Sequence, residues 1–300
     1  MEQVLEKMRD IIRSGGNIVV LAGMNITYDI GLNGVTAEHI AYDIEQKYGY
    51  SNDEIASSLF YTRRAELFFK YYKEVILNIE NPQPSSIHYG IYKLQQCSKL
   101  SAVVTRSVYS LYEKVGCNNV IQLHGSVDKN ICPKCKKLYD SAYIKHSKGI
   151  PVCEQCGIPL RPGFSLLGEM LDNGKISQAS NAVENANILL VLGASINSTL
   201  CRYMVKYYNG DKLLLLNDKE KVGDERANYR AYELPLNKEL STVCINTENG
   251  EKMWNAISER FCSATADYKR EVQLNAQLHT PARITIQRND FYKHIKQMSE

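Results

Sequence analysis

Four cysteines constrain the fold of this chain more than any other feature. They form two Cys-x-x-Cys pairs, Cys132/Cys135 and Cys153/Cys156, with seventeen residues between the pairs. This is the spacing of a structural Zn²⁺ site. Two intervening residues let one tight turn aim both thiolates at a single ion, and Pro133 and Gly157 suit such turns. The second pair closes the tetrahedron from the far end of a small ribbon. Four thiolates leave no open coordination position, so the expected zinc is structural rather than hydrolytic. Two other readings of the same residues are weaker. Chance buried thiols have no reason to fall in two matched pairs, and a redox Cys-x-x-Cys does not need a second copy. His146 lies between the pairs and is expected on the exposed surface of the ribbon rather than as a fifth ligand.

The other five cysteines, Cys97, Cys117, Cys201, Cys244 and Cys262, are scattered and odd in number. That argues against a disulfide framework and for a reducing, cytoplasmic setting. A net charge of +3 is too mild to imply a nucleic-acid partner. The opening segment MEQVLEKMRDIIRSG reads as an amphipathic helix and not a signal peptide, and no apolar run approaches the length needed to cross a bilayer. The apolar fraction of 44% is ample for a core, in one large domain with an insertion or in two domains.

Residues 2–13 place Val4, Leu5, Met8, Ile11 and Ile12 at helical spacing, and Gly15–Gly16 end the pattern. NIVVLAG follows, a continuous apolar run ending at Gly23. A helix, a buried strand and a glycine turn open a nucleotide-binding α/β fold, and burial on both faces explains why the run does not alternate. Residues 37–80 read as a helical module rich in Tyr and Phe, stopped by Asn81-Pro82-Gln83-Pro84. A helix capped by Ser85 or Ser86 runs to Leu94. Buried strands are expected at Leu100–Thr105, near Val120–Leu123, within 188–195, where the run enters a glycine-containing turn, and at 213–217. Helices are expected at Lys175–Asn187 and about 198–208. A weak strand at Ser241–Ile245, a helix at 249–261 and a polar tail over 262–300 complete the chain. Strands alternating with helices mean a mostly parallel sheet, which binds ligands at the carboxyl ends of its strands. Those ends are Gly23, Thr105, His124, Gly193 and Asn217.

At this point the motifs resemble the sirtuins, the NAD⁺-dependent protein-lysine deacylases, and the bacterial members most. The matching pieces are YGYSNDEI (48–55), PSSIH (84–88), LHGS (123–126), the two cysteine pairs, RPGFSLLGE (161–169), LGAS (192–195) and NGDKLLLLN (209–217). The resemblance implies an α/β fold with a Rossmann-like parallel sheet as the large domain (1–36, 81–128 and 162–261). The small domain combines a four-cysteine zinc ribbon (129–161) with the helical insertion (37–80), leaving 262–300 as an extension. NAD⁺ and an acyl-lysine protein substrate would meet in the cleft between the two. In the implied reaction the acyl oxygen attacks C1′ of the nicotinamide ribose and expels nicotinamide. A histidine then takes a proton from a ribose hydroxyl, and the acyl group ends on the ribose. His124 matches that base. Its residue-level alternative is a hydrogen-bonded structural histidine.

The departures from the family pattern are concentrated around the cofactor. The phosphate loop GAGIS reads Gly23-Met24-Asn25-Ile26-Thr27, keeping only its first glycine and placing two side chains where backbone N–H groups approach a pyrophosphate. The family's Asp, Phe and Arg of GIPDFR are Gly34, Val35 and Thr36. TQNID is Thr105-Arg106-Ser107-Val108-Tyr109, so Tyr109 replaces a carboxylate that holds the nicotinamide carboxamide, and its ring is expected to fill that pocket. Arg106 brings a cation beside it and is a candidate substitute for the missing Arg. GTSL is Gly193-Ala194-Ser195-Ile196. The peptide-facing segment Gly163-Phe164-Ser165-Leu166 has lost the family's acid and valines.

Each lost charge-assisted contact weakens binding by about 1.5–3 kcal/mol, and each lost transition-state stabiliser slows a reaction by roughly 10²–10³. The leading expectation is therefore a zinc-containing family member with weak or absent deacylase activity. It would still bind NAD⁺ or ADP-ribose through Gly23, Thr27, Thr105, Ser107, Gly193, Ser195 and Asn217. Two alternatives stand beside it. One is an active enzyme with altered chemistry, mono-ADP-ribosyl transfer, NAD⁺ hydrolysis or action on a different acyl group, using the retained His124, Gly125 and Glu169. The other is a binding scaffold in which the cleft, or the Tyr-rich helical run at 42–72 with Phe69, Tyr71 and Tyr72, docks a protein partner; the favoured residue-level reading of that run is a packed helical core.

Overall fold

The structure is a computed structural model and describes residues 2–36 and 40–232. The expected strand at Ser241–Ile245, the helix at 249–261 and the tail lie outside the described residues. Helix α1 (Glu2–Ser14) buries Leu5, Met8 and Ile12, one face of its helical period. Strand β1 (Ile18–Ala22) is buried throughout, and a single helical turn, α2 (Asn25–Tyr28), follows it. Next come α3 (Ala41–Tyr48), α4 (Asn52–Ile55), α5 (Ser58–Arg63) and α6 (Ala65–Tyr71), the last running on as a π-turn over Tyr72–Ile76. Ser51 and Ser57 start α4 and α5 by accepting from the N–H groups of Glu54 and Phe60.

Helix α7 (Ser86–Gln96), β2 (Leu100–Thr105), α8 (Leu111–Lys114) and β3 (Val120–Gln122) continue the chain. The ribbon holds β4 (Asn130–Ile131), β5 (Leu138–Tyr139) and α9 (Ser141–His146). Then follow α10 (Asn173–Glu184), β6 (Ile188–Leu192), α11 (Thr199–Met204), β7 (Leu213–Leu216) and β8 (Tyr229–Ala231). The helix expected to reach residue 208 stops at Met204 and tightens into a 3₁₀ turn at Val205–Tyr207.

The sheet order is β3-β2-β1-β6-β7-β8, with every pairing parallel. The continuous apolar runs of β1 and β6, and the buried Ala102–Val104 of β2, fit this arrangement, because both faces of the sheet are covered. One face packs on Leu5, Met8, Ile12, Ile87, Ile91 and Leu94 from α1 and α7. The other packs on Ala179, Val183, Leu200 and Met204 from α10 and α11. Strand order reverses between β1 and β6, the switch point at which open sheets of this kind form a ligand crevice. β8 was not expected from the sequence. It is an edge strand of three residues, only one of them buried, so it carries no apolar run to read. Among the described residues no helix is long and apolar enough to cross a membrane.

The helical segment and the ribbon share one core, in which Phe68, Phe69, Tyr71 and Tyr72 pack with Tyr139, Ile144, Leu160 and Phe164. Phe69, Tyr71 and Tyr72 are each 0% exposed, so the run packs as a helical core and these three residues offer no docking surface. Tyrosine serves here where Phe would leave polar groups unpaired. The Tyr72 hydroxyl bonds Asn130 Oδ1 at 3.0 Å, and that of Tyr71 lies within reach of Asn52 Oδ1 at 2.6 Å and the Val35 carbonyl at 2.8 Å.

Candidate functional site

Strand register decides which residues meet at the carboxyl edge of the sheet. Ala22 pairs with both Thr105 and Leu192, Thr105 with Gln122, and Leu192 with Leu216. The next residues along, Gly23, Arg106, Gly193 and Asn217, and His124 one position further past Leu123, therefore leave the sheet along one rim. Gly23 and Gly193 sit back to back at the switch point. A Cβ on Gly23 would stand 2.2 Å from the Gly193 carbonyl oxygen, and Gly193 itself has φ +60°. Only glycine permits both the close approach and the left-handed backbone.

The expected polar contacts are already engaged within the protein. Thr105 Oγ1 donates to the Ala22 carbonyl at 3.0 Å and accepts from Ser107 N–H at 3.0 Å, which fixes the turn after β2. Thr27 Oγ1 donates to Ser107 Oγ at 3.2 Å, tying the first loop to that turn. Ser195 Oγ donates to Asp224 at 2.8 Å. Asn217 is 0% exposed and accepts from Asn25 Nδ2 at 3.2 Å, while Asp218 accepts from the same amide at 2.9 Å. Asn25 thus spans from the first loop to the end of β7. It sits in the helical turn that replaces a glycine-rich loop, and Met24, the cap of that turn, has φ −73° rather than a left-handed value.

His124 is half-buried, and one described contact reaches its ring. Arg106 Nε donates to His124 Nε2 at 3.1 Å. Nε2 is therefore an acceptor, so the ring is neutral with its proton on Nδ1. Burial, reinforced by the positive charges of Arg106 and Lys175, lowers the His124 pKa from 6.5 to about 4. The next residue, Gly125, has φ +80°, and a Cβ there would lie 2.3 Å from the Gly163 carbonyl oxygen. The His124 carbonyl accepts from Ser165 N–H at 2.8 Å, and Gly125 bridges Phe164. Segment 163–167 is thereby stitched to the histidine on one side and, through Ala56 and Ser58, to the helical segment on the other. Glu169 accepts from Arg161 at 2.6 Å and from Leu166 N–H at 2.8 Å, so it staples this segment rather than facing His124.

The four ribbon cysteines converge. Their sulfurs all lie within 4.8 Å of one another, and Cys135 Sγ is 3.6 Å from Cys153 Sγ. A tetrahedral zinc at about 2.3 Å from each thiolate spaces them about 3.8 Å apart, so the set fits that ion. The two knuckles repeat one backbone turn. Lys136 and Gly157, each following the second cysteine of its pair, have φ +64° and +66° and bond back to the carbonyls of Cys132 and Cys153. Tyr139 donates its hydroxyl to Cys153 Sγ at 3.2 Å. His146 is exposed and pairs with Glu80 at 2.9 Å, away from the cluster.

Residues 34–199 match the Sir2 family. An NAD-dependent protein deacetylase of Clostridium perfringens (strain 13 / Type A) is 30% identical over 229 residues, covering 76% of this chain and 93% of that protein. One from Clostridium tetani (strain Massachusetts / E88) is 31% identical, covering 74% and 90%. The chain belongs to the Sir2 family. Its fold also matches solved sirtuin structures. A Sir2 homolog–NAD complex aligns with TM-score 0.67 at 24% identity over 83% of this chain and 94% of that one. A Sir2 bound to acetylated peptide aligns at 0.66 and 24% identity over 80% and 96%.

Within this sirtuin, two features of the rim were not legible from sequence. Asp224 is fully buried and accepts from Ser195 Oγ, Ile196 N–H and Lys221 N–H at 2.8, 2.9 and 2.9 Å, so one carboxylate holds the loop after β6. A lone Asp in a polar stretch gave no signal of this. The second is the fastening of the loop over residues 31–36. Tyr109, 2% exposed, places its hydroxyl 2.7 Å from the Asn33 carbonyl and 2.5 Å from that of Ile76. Asn33 Nδ2 donates to the Val75 carbonyl and Asn78 Nδ2 to that of Gly31.

Proposed function

We propose that this sirtuin has weak or absent activity as an ordinary protein-lysine deacylase and keeps a nucleotide cleft for NAD⁺ or ADP-ribose. The observation that carries this reading is the 3.1 Å bond from Arg106 Nε to His124 Nε2. A general base needs a free lone pair aimed at the proton it takes, and the outer ring nitrogen here already accepts from a guanidinium. Tyr109 adds to the case. It stands where the family has a carboxylate, and both hydroxyl contacts lie within the protein.

In this reading Gly23 and Gly193 let backbone approach a pyrophosphate, and Thr27, Thr105, Ser107, Ser195 and Asn217 set the shape of the loops. The hydroxyls contact a nucleotide only by exchanging internal partners. NAD⁺, when bound, supplies the electrophilic ribose carbon that accepts an acyl group. His124 stands at the position of the base but is held by Arg106, and Lys175, whose Nζ donates to the Gln122 carbonyl at 3.0 Å, keeps its surroundings cationic. The unit of 2–36, 81–128 and 162–232 carries the cleft. The helical insertion (37–80) and zinc ribbon (129–161) form its other wall, which faces an acyl-lysine protein. No described cysteine is in a disulfide, which suits a cytoplasmic, reducing setting.

Calorimetric titration of zinc-loaded protein with NAD⁺, ADP-ribose and nicotinamide, beside an acetyl-lysine peptide assay, tests the reading. The expected result is ADP-ribose binding tighter than NAD⁺, and acetyl removal slower by roughly 10²–10³ than in a sirtuin with the full family motifs. Acetyl removal at ordinary sirtuin rates, abolished by His124→Ala, refutes it. The altered-chemistry alternative is weakened by Glu169, which the structure commits to Arg161 and Leu166.

A further inference from the structure

Arg106 is half-buried, and among the described residues no carboxylate lies within 4 Å of its guanidinium. Its hydrogen-bond partner is the neutral ring of His124, a poor counter-ion for a desolvated cation. The other charge acting on His124 is Lys175, also positive. Lys175 is spent on the Gln122 carbonyl. The rim between β2 and β3 is therefore a cationic corner in which Glu113 lies within electrostatic reach of Lys175, while no described carboxylate pairs with Arg106. A partly buried charge without a counter-charge is costly, and a planar guanidinium fork matches the paired oxygens of a carboxylate or phosphate.

We propose that Arg106 is an anion-reading gate on His124: a ligand that brings a carboxylate or phosphate to the guanidinium draws Arg106 off Nε2 and frees that nitrogen. The idea rests on the reading of His124 as a silenced base and deepens it by naming the chemistry that would unsilence it. The same cation that blocks the ring on a neutral ligand becomes the recognition element for an anionic one. Two sources of such an anion fit the cleft. One is an acyl chain on lysine ending in a carboxylate, and the other is a phosphate of the nucleotide. Arg106 is a positioning residue here, acting through the ring it contacts.

The test uses the full chain loaded with zinc, as wild type and as Arg106→Gln. The first readout is ¹⁵N NMR of the His124 ring in histidine-labelled protein, assigned by subtraction of a His124→Asn spectrum. In the ligand-free wild type the ring is expected as the Nδ1–H tautomer. Arg106→Gln shifts the tautomer balance, and an anionic ligand moves the wild type the same way. The second readout is affinity for four ligands: ADP-ribose, NAD⁺, a lysine peptide acylated with a carboxylate-ended chain, and the methyl ester of that peptide. Loss of a charge-assisted contact predicts a drop of about tenfold to a hundredfold in Arg106→Gln for the ligand that carries the anion. A drop confined to the acid peptide, with the ester unchanged, identifies the acyl carboxylate. A drop for ADP-ribose and NAD⁺, with acid and ester alike, identifies the phosphate. Ligands that bind wild type and Arg106→Gln within twofold of each other, with no ligand-driven change in tautomer, overturn the gate and leave the nucleotide cleft standing. If none of the four binds wild type, the gate falls together with the cleft reading.

Discussion

Asp224 offers the sharpest perturbation away from His124. Its carboxylate is 0% exposed and receives Ser195 Oγ, Ile196 N–H and Lys221 N–H at 2.8–2.9 Å. Asp224→Ala removes the acceptor and strands two backbone donors that cannot rotate toward water, while the Ser195 hydroxyl can turn. A buried donor left unpaired is destabilising by about 1–3 kcal/mol. With two such donors and one weakened hydroxyl the expected loss is about 3–5 kcal/mol, a large share of a typical folding free energy. Asp224→Asn keeps one oxygen for Ser195 and Ile196 and sets an amide against the Lys221 N–H, so its loss is smaller, about 1–2 kcal/mol. Urea unfolding of zinc-loaded protein at fixed pH measures both. ADP-ribose calorimetry on folded Asp224→Asn then reports on the loop 193–197 directly, with weaker binding expected. An alanine variant within about 1 kcal/mol of wild type would refute the view that this carboxylate organises the loop.

Other consequences can be measured in the same way. Chelating zinc, or Cys153→Ser, should unfold the ribbon and lower the thermal midpoint, because the binding free energy of the ion is folding free energy for the ribbon and the shared aromatic core loses one wall; an unchanged midpoint with zinc stripped would exclude a structural metal. Gly125→Ala, at φ +80° with a carbonyl oxygen 2.3 Å from the new methyl, should destabilise by about 2–4 kcal/mol and disturb the His124 ring signal. Burial lowers the His88 pKa from 6.5 to about 4, so the folded state declines a proton that the unfolded chain takes up below 6.5. Its contribution to stability is therefore complete above pH 6.5 and is lost as pH falls toward 4, about 2 kcal/mol by pH 5. His88→Gln should flatten the pH dependence of the urea midpoint between 7 and 5, and an unaltered slope would count against it. Tyr71→Phe, which strands Asn52 Oδ1, should be destabilising by about 1–2 kcal/mol in the same urea assay.

The sequence by itself determined the scaffold. The runs at 18–22, 102–104 and 188–192 are continuous because parallel strands are buried on both faces, and that condition is written locally. The cysteine pairs were legible for a similar reason, since two-residue spacing and a left-handed turn are short-range requirements of one ion. The helical period of α1 followed from burying one face, and α7 was marked by a serine cap after a proline-rich break. What tertiary structure alone decided is the chemistry of the rim. β8 has three residues and little burial, so its pairing with β7 leaves no pattern in its own composition. The single turn at Asn25–Tyr28 contains no cap residue of the usual kind, and it forms because Asn25 reaches Asn217 and Asp218, nearly two hundred positions away in sequence. Tyr109 reads as a lost carboxylate in sequence, whereas in the fold its hydroxyl ties the 31–36 loop to the end of the helical segment. Arg106 and His124 are eighteen residues apart and follow different strands. Strand register puts them on one rim, and only side-chain placement sets the guanidinium on Nε2. Periodicity and spacing report what a segment buries. They are silent on which polar atom a distant side chain will meet, and in this protein that meeting governs the histidine.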